Sequence, residues 1–174
     1  MDLNYYISDG LWIFIRCIGA GLIIYSIILA ILYLTKKRKI FKIRQTIFEF
    51  MLVTYTITIL KITGIIGMRF YISDVMSGMY NMNIIPFKDA SPMMILLNFL
   101  LFLPYGFLLP CVFANLKANS KKVLLIGFIT SFWIELLQLF GGRFAEIDDI
   151  LANSLGTFVG FIVFYYARKI ILKK

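Results

Sequence analysis

The sequence predicts an all-α membrane protein: a bundle of about five transmembrane helices with a partly embedded outer segment between helices two and three. Three observations carry that prediction. Of 174 residues, 61% are hydrophobic and 16% charged, whereas ordinary soluble domains are about a quarter charged. Mean hydropathy is +0.89. Five apolar stretches, residues 11–34, 46–66, 93–116, 123–140 and 150–171, are each long enough to cross a hydrocarbon core of about 30 Å, which takes about 20 helical residues. Little chain is left for a soluble domain, so residues 1–174 are expected to form a single transmembrane helical domain.

The first span is expected to stay in the mature protein. Acidic Asp2 and Asp9 stand where a signal peptide is basic, and the apolar run exceeds a signal-peptide core. The net charge of +9 is unevenly distributed. Lys36, Lys37, Arg38, Lys39, Lys42 and Arg44 separate spans one and two, Lys117, Lys121 and Lys122 separate spans three and four, and Arg168, Lys169, Lys173 and Lys174 end the chain. All of these fall on one side of the membrane. The other side holds only Arg69, Lys88 and Arg143, while Arg16 and Lys61 lie within spans. The positive-inside rule then puts the N-terminus outside and the C-terminus in the cytoplasm. The basic run is read as a topology determinant that touches anionic lipid, with no nucleic acid as partner.

Span one, with Gly19 and Gly21, reads as an anchor and packing helix. In span two Glu49 and Lys61 lie near opposite interfaces and read as snorkelling anchors. Residues 68–92 are polar in patches but too rich in Met, Ile and Phe for a free loop, so they are expected to lie against the membrane face or dip back into it. Span three contains Asn98, Pro104, Gly106 and Pro110. A proline inside a helix removes a backbone hydrogen bond and clashes with the preceding turn, so this span is expected to be kinked or broken beside a polar cavity. Span four runs to Gly141 and Gly142, which suit a left-handed helix stop. Span five opens at Asp148 and Asp149, where carboxylates favour a helix N-terminus. Cys17 and Cys111 sit in apolar spans and imply no disulfide.

The chain has no histidine. That excludes imidazole bases and the usual transition-metal sites and leaves carboxylates, amides, hydroxyls, Lys, Arg or a hard cation. The unusual polar residues fall in one leaflet. Asn98 lies about 8 Å along a helix entering from outside, Glu135 and Gln138 occupy the last turns of a helix leaving there, and Asn153 is in the first turns of the next. Asp149, Asn153, Gly156 and Gly160 form one stripe, and Gly156 to Gly160 is a small-xxx-small packing pattern. The turn between spans four and five is about seven residues, which makes them antiparallel partners. Arg143 in that turn is placed to reach a carboxylate bidentately. Structural roles are also open to these residues: Asp148 or Asp149 as a helix cap, Arg143 as an ion-pair partner, Asn98 and Asn153 as interhelical hydrogen bonds. An acid inside an apolar helix, as Glu135 is, marks a functional site by default.

With these residues in view, the chain resembles the VanZ-like family over about residues 83–168. The matching pieces are Asn83, Ile84, Ile85, Pro86 and Phe87 in the outer segment, then Asn98, Phe102, Pro104 and Gly106 in span three. Glu135 and Gln138, then Arg143, then Asp148, Asp149, Asn153 and Gly156 complete the pattern. The resemblance implies a bacterial plasma-membrane protein associated with resistance to glycopeptides of the lipid-bearing type such as teicoplanin. Some relatives carry a phosphotransbutyrylase label, but this chain has neither a glycine-rich phosphate loop nor a soluble domain for such chemistry.

Two functions from different classes follow. In the first, an outward-facing pocket engages a membrane lipid, a cell-wall lipid precursor or a lipoglycopeptide antibiotic. Asn83, Pro86, Phe87, Asn98, Gln138, Arg143 and Asn153 are its expected ligand-binding residues. In the second, the protein is an intramembrane carboxylate-dependent enzyme of cell-wall or lipid metabolism, with Glu135, Asp148 and Asp149 as catalytic candidates. No metal ligand set is assigned; oxygen-only ligands would favour magnesium or calcium if a cation took part.

Overall fold

The structure is a computed structural model that describes residues 3–38, 40, 42–78, 82–88 and 91–172. Asp2, Lys39, Lys173 and Lys174 lie outside the described residues. In chain order the elements are α1 (Leu3–Leu34), α2 (Ile43–Ile62), α3 (Ile72–Met76), β1 (Met82–Asn83), α4 (Pro92–Val112), a 3-10 turn (Ala114–Leu116), α5 (Ser120–Phe140), β2 (Ala145–Glu146) and α6 (Ile147–Leu172). All the helices but α3 are long and apolar enough to cross a membrane. The chain is a multi-pass membrane protein.

The boundaries follow local chemistry. α2 stops at Ile62, short of the expected residue 66, because Gly64 adopts φ +79° and its N–H turns back to the Lys61 carbonyl. α5 begins at Ser120, ahead of the expected 123, because the Asn119 side chain accepts the Lys122 N–H at 3.0 Å and caps the first turn. α4 is one continuous helix through Pro104 and Pro110, so the sequence alternative of a broken span does not occur. The Tyr55 hydroxyl donates to the Leu101 carbonyl at 2.8 Å, in the turn just ahead of Pro104. A neighbouring helix thus adds a hydrogen bond to the backbone of the turn that precedes the proline.

Lipid gives helices little hydrophobic reason to associate, so close packing of small residues holds the bundle together. α6 packs on α5, the neighbour expected from the short turn, and still more extensively on α4. Methyl groups added at Gly156 and Gly160 would collide with the Phe99 and Leu103 carbonyls, and Phe107 meets Phe164 edge-on with centroids 6.0 Å apart. These pairs advance together along both helices, so α4 and α6 run in the same direction. Thr157, fully buried, wedges between Gly106 of α4 and Gly127 of α5. The buried core gathers Ile59, Phe102, Tyr105, Leu109, Val123, Ile134 and Phe161.

α1 is peripheral and packs on α2, with Gly21 against Thr54. At that helix pair Glu49 is more than the snorkelling anchor expected. It accepts from the Arg38 guanidinium at 2.6 Å, the Tyr25 hydroxyl at 2.7 Å and Gln45 at 2.7 Å. Burial works against the charge on Arg38, but the bonds to Glu49 and Tyr25 prevail and push its pKa up.

Candidate functional site

The site forms where α2, α4, α5 and α6 end together. α5 closes with a Schellman motif: the Arg143 N–H returns to the Gln138 carbonyl at 3.0 Å, the Gly142 N–H to Leu139 at 3.2 Å, and Gly142 takes φ +70°. The motif fixes Arg143 next to Gln138. Both side chains then donate to one acceptor, the Thr63 carbonyl at the end of α2, from Gln138 Nε2 at 3.0 Å and Arg143 Nη1 at 2.7 Å. Terminal helix carbonyls lack intrahelical partners and carry the negative end of the dipole, so a guanidinium suits two converging C-termini. A side chain at Gly64 would strike that guanidinium.

Among the described residues no ion pair involves Arg143. The bidentate carboxylate contact expected from the sequence is absent, because the Thr63 carbonyl holds one face of the guanidinium.

The carboxylates have distinct neighbours. Glu135, 4% exposed, accepts the Glu146 backbone N–H at 3.0 Å. β2 pairs in parallel with β1, placing Asn83 opposite Glu146. Asp148, also buried, accepts the Phe87 N–H with both oxygens, at 3.0 and 3.2 Å. Phe87 has φ +62°, a conformation that costs a non-glycine residue energy, and the Asp148 carboxylate offsets it. Asn83 accepts from the Ile85 N–H at 3.3 Å, closing the local turn. The outer segment is thereby clamped to the start of α6. Its other end caps α5: the Tyr71 N–H donates to the Phe140 carbonyl at 2.8 Å, and Met68 lies against Gly141.

Between these ends lies a cleft of about 330 Å³ lined by Ser91, Met94, Gln138, Arg143, Phe144, Glu146 and Asp149. Asn98, one turn further along α4 than Met94, has its side chain near the Asp149 carboxylate. Glu135 stands behind the lining, within Coulombic reach of Asp149, Glu146 and Arg143. Deeper in the bundle Asn153 donates to Ser131 at 2.8 Å. The buried oxygens Gln138 Oε1 and Asn153 Oδ1 have no hydrogen-bond partner among the described residues.

Of the residues singled out from sequence, Gln138, Arg143 and Asp149 line the cleft, and Asn98 and Glu135 touch or face those that do. Asn153 lies further in. Asn83, Pro86 and Phe87 are not among the lining residues; their segment docks through its backbone, and the Pro86 and Phe87 side chains face outward. Glu146, an acid of the same polar cluster in the sequence, also lines the cleft, and Ser91, Met94 and Phe144 join it without a signal in the sequence. No group of three or more Asp, Glu, Cys or His side chains able to hold a metal ion occurs among the described residues.

A family model described as VanZ/LLP1 matches residues 22–171. The match includes the C-terminal part of α1, from residue 22, and all of α2, well beyond the region over which the sequence motifs were legible. No curated protein and no solved structure matches the chain.

Proposed function

The chain belongs to the VanZ/LLP1 family, membrane proteins linked to teicoplanin resistance, and from that premise we propose that its cleft binds the polar head of a lipid-linked or lipid-bearing envelope ligand. The orientation we propose follows the distribution of Lys and Arg: the protein sits in the bacterial plasma membrane with the cleft outside, the N-terminus outside and the C-terminus cytoplasmic. The single observation that carries the reading is Gln138, a residue lining a cleft at a helix-bundle end, whose buried Oε1 is unpartnered among the described residues. An unmet buried acceptor is costly, and a ligand donor relieves that cost. The apolar side chains exposed around the outer segment, among them Ile84, Ile85 and Phe87, supply a surface for acyl chains.

The test is resistance to a lipoglycopeptide in a susceptible bacterial host. Asp149→Ala removes a lining carboxylate that holds no backbone N–H, so membrane insertion and thermal stability should stay near those of the parent while resistance is lost. Full resistance in a stably inserted Asp149→Ala protein contradicts the reading.

A further inference from the structure

We infer that the cleft receives a primary ammonium group at the polar end of its ligand, with Glu146, Asp149 and the Gln138 amide oxygen as acceptors. The inference rests on the cleft being a ligand site and adds the chemistry of the group it takes. Glu146 and Asp149 line the cleft, and Glu135 stands behind them. The one cation among the lining residues, Arg143, has Nη1 committed to the Thr63 carbonyl. Gln138 is 6% exposed, its Nε2 is spent on the same carbonyl, and its Oε1 has no partner among the described residues. The lining thus sets two carboxylates and one amide oxygen against a single guanidinium, and its net charge is negative.

A primary ammonium carries three N–H donors and no acceptor, which matches a lining of two carboxylates and an unpartnered amide oxygen. A bare phosphate offers none and would face carboxylates across the cleft. A quaternary ammonium keeps the positive charge but has no N–H to give Gln138, which separates hydrogen bonding from simple charge attraction. The ammonium has two candidate sources, an aminophospholipid headgroup or an amine on a lipid-bearing glycopeptide, and the chemistry they share is a primary amine joined to an acyl chain.

The experiment is calorimetric titration of the purified full chain in maltoside micelles. The probes are decylamine, decyltrimethylammonium, dihexanoyl-phosphatidylethanolamine, dihexanoyl-phosphatidylglycerol and a lipoglycopeptide. Charge-assisted hydrogen bonds of this kind correspond to about tenfold or more in affinity. Decylamine is expected to bind at least that much tighter than decyltrimethylammonium, and the Glu146→Gln, Asp149→Asn double variant should lose the difference. Tight ethanolamine-lipid binding assigns the lipid source; tight binding of the lipoglycopeptide with weak binding of the ethanolamine lipid assigns the antibiotic. Equal binding of the two decyl amines, or preference for phosphatidylglycerol, overturns the ammonium assignment and leaves the cleft as a ligand site. Binding of none of the five probes overturns both.

Discussion

Asp148 and Phe87, 61 residues apart, are joined by the carboxylate of the first accepting the backbone N–H of the second at 3.0 Å. This contact holds the outer segment on the opening turn of α6 and fixes the edge of the cleft. Leaving the N–H unmet costs about 1–3 kcal/mol, so Asp148→Ala should lower stability by that order and expose residues 82–88 to protease. Asp148→Asn keeps an acceptor oxygen and should lose much less. Unfolding titration in SDS, paired with limited proteolysis, reads both effects.

Glu135 invites a similar comparison with a different consequence. It accepts the Glu146 N–H, a role that glutamine's carbonyl oxygen can fill but alanine cannot. If Glu135 serves as a structural acceptor behind a binding cleft, Glu135→Gln should retain most resistance and Glu135→Ala should lose it. A general acid or base tolerates neither change. Loss of resistance in a stable Glu135→Gln protein, with turnover of labelled envelope lipid by the parent, would favour an enzyme over a binding protein.

The glycines make a graded series. A methyl added at Gly106, Gly156 or Gly160 would meet backbone of the neighbouring helix, whereas one added at Gly19 would have nothing within 4 Å. Overpacking costs about 1–3 kcal/mol or more, so Gly160→Ala and Gly106→Ala should each destabilise the protein by at least that order. Gly19→Ala should change stability by no more than about 0.5 kcal/mol. The same unfolding titration measures all three.

Arg38 and Glu49 make the only ion pair among the described residues, with little exposure on either side chain. Removing one partner leaves the other buried and uncompensated, which costs about 3–5 kcal/mol for a fully buried pair and less here, where the end of α1 meets solvent. Glu49→Ala should loosen α1 from α2, and it should do so more than Gln45→Ala, which removes only an exposed contact to the same carboxylate. Disulfide trapping between cysteines introduced on the two helices would detect the change.

Much of this was legible from residue order. Five spans follow from hydrophobic length, the end of α5 from Gly141 and Gly142, and the clustering of Gln138, Arg143 and Asp149 from alternation of span direction. Other features were not legible, because they depend on contacts across long sequence separations. Nothing local to Arg143 says that the Thr63 carbonyl, 80 residues away, holds its guanidinium. Nothing in the short turn between α5 and α6 says that α6 packs chiefly on α4; that follows from Gly156 and Gly160 meeting the Phe99 and Leu103 carbonyls. The hydroxyl that meets the α4 backbone just ahead of Pro104 is that of Tyr55, which belongs to another helix.

The central claim is an outward-facing cleft, and side-specific labelling tests it most directly. Phe144 lines the cleft and is 62% exposed, so Phe144→Cys, in a background with Cys17 and Cys111 replaced by alanine, places a reactive thiol at its mouth. The account predicts reaction with a membrane-impermeant maleimide in intact cells, and slower reaction when a lipoglycopeptide or short-chain aminophospholipid is present. Reaction only after the membrane is permeabilised would contradict it.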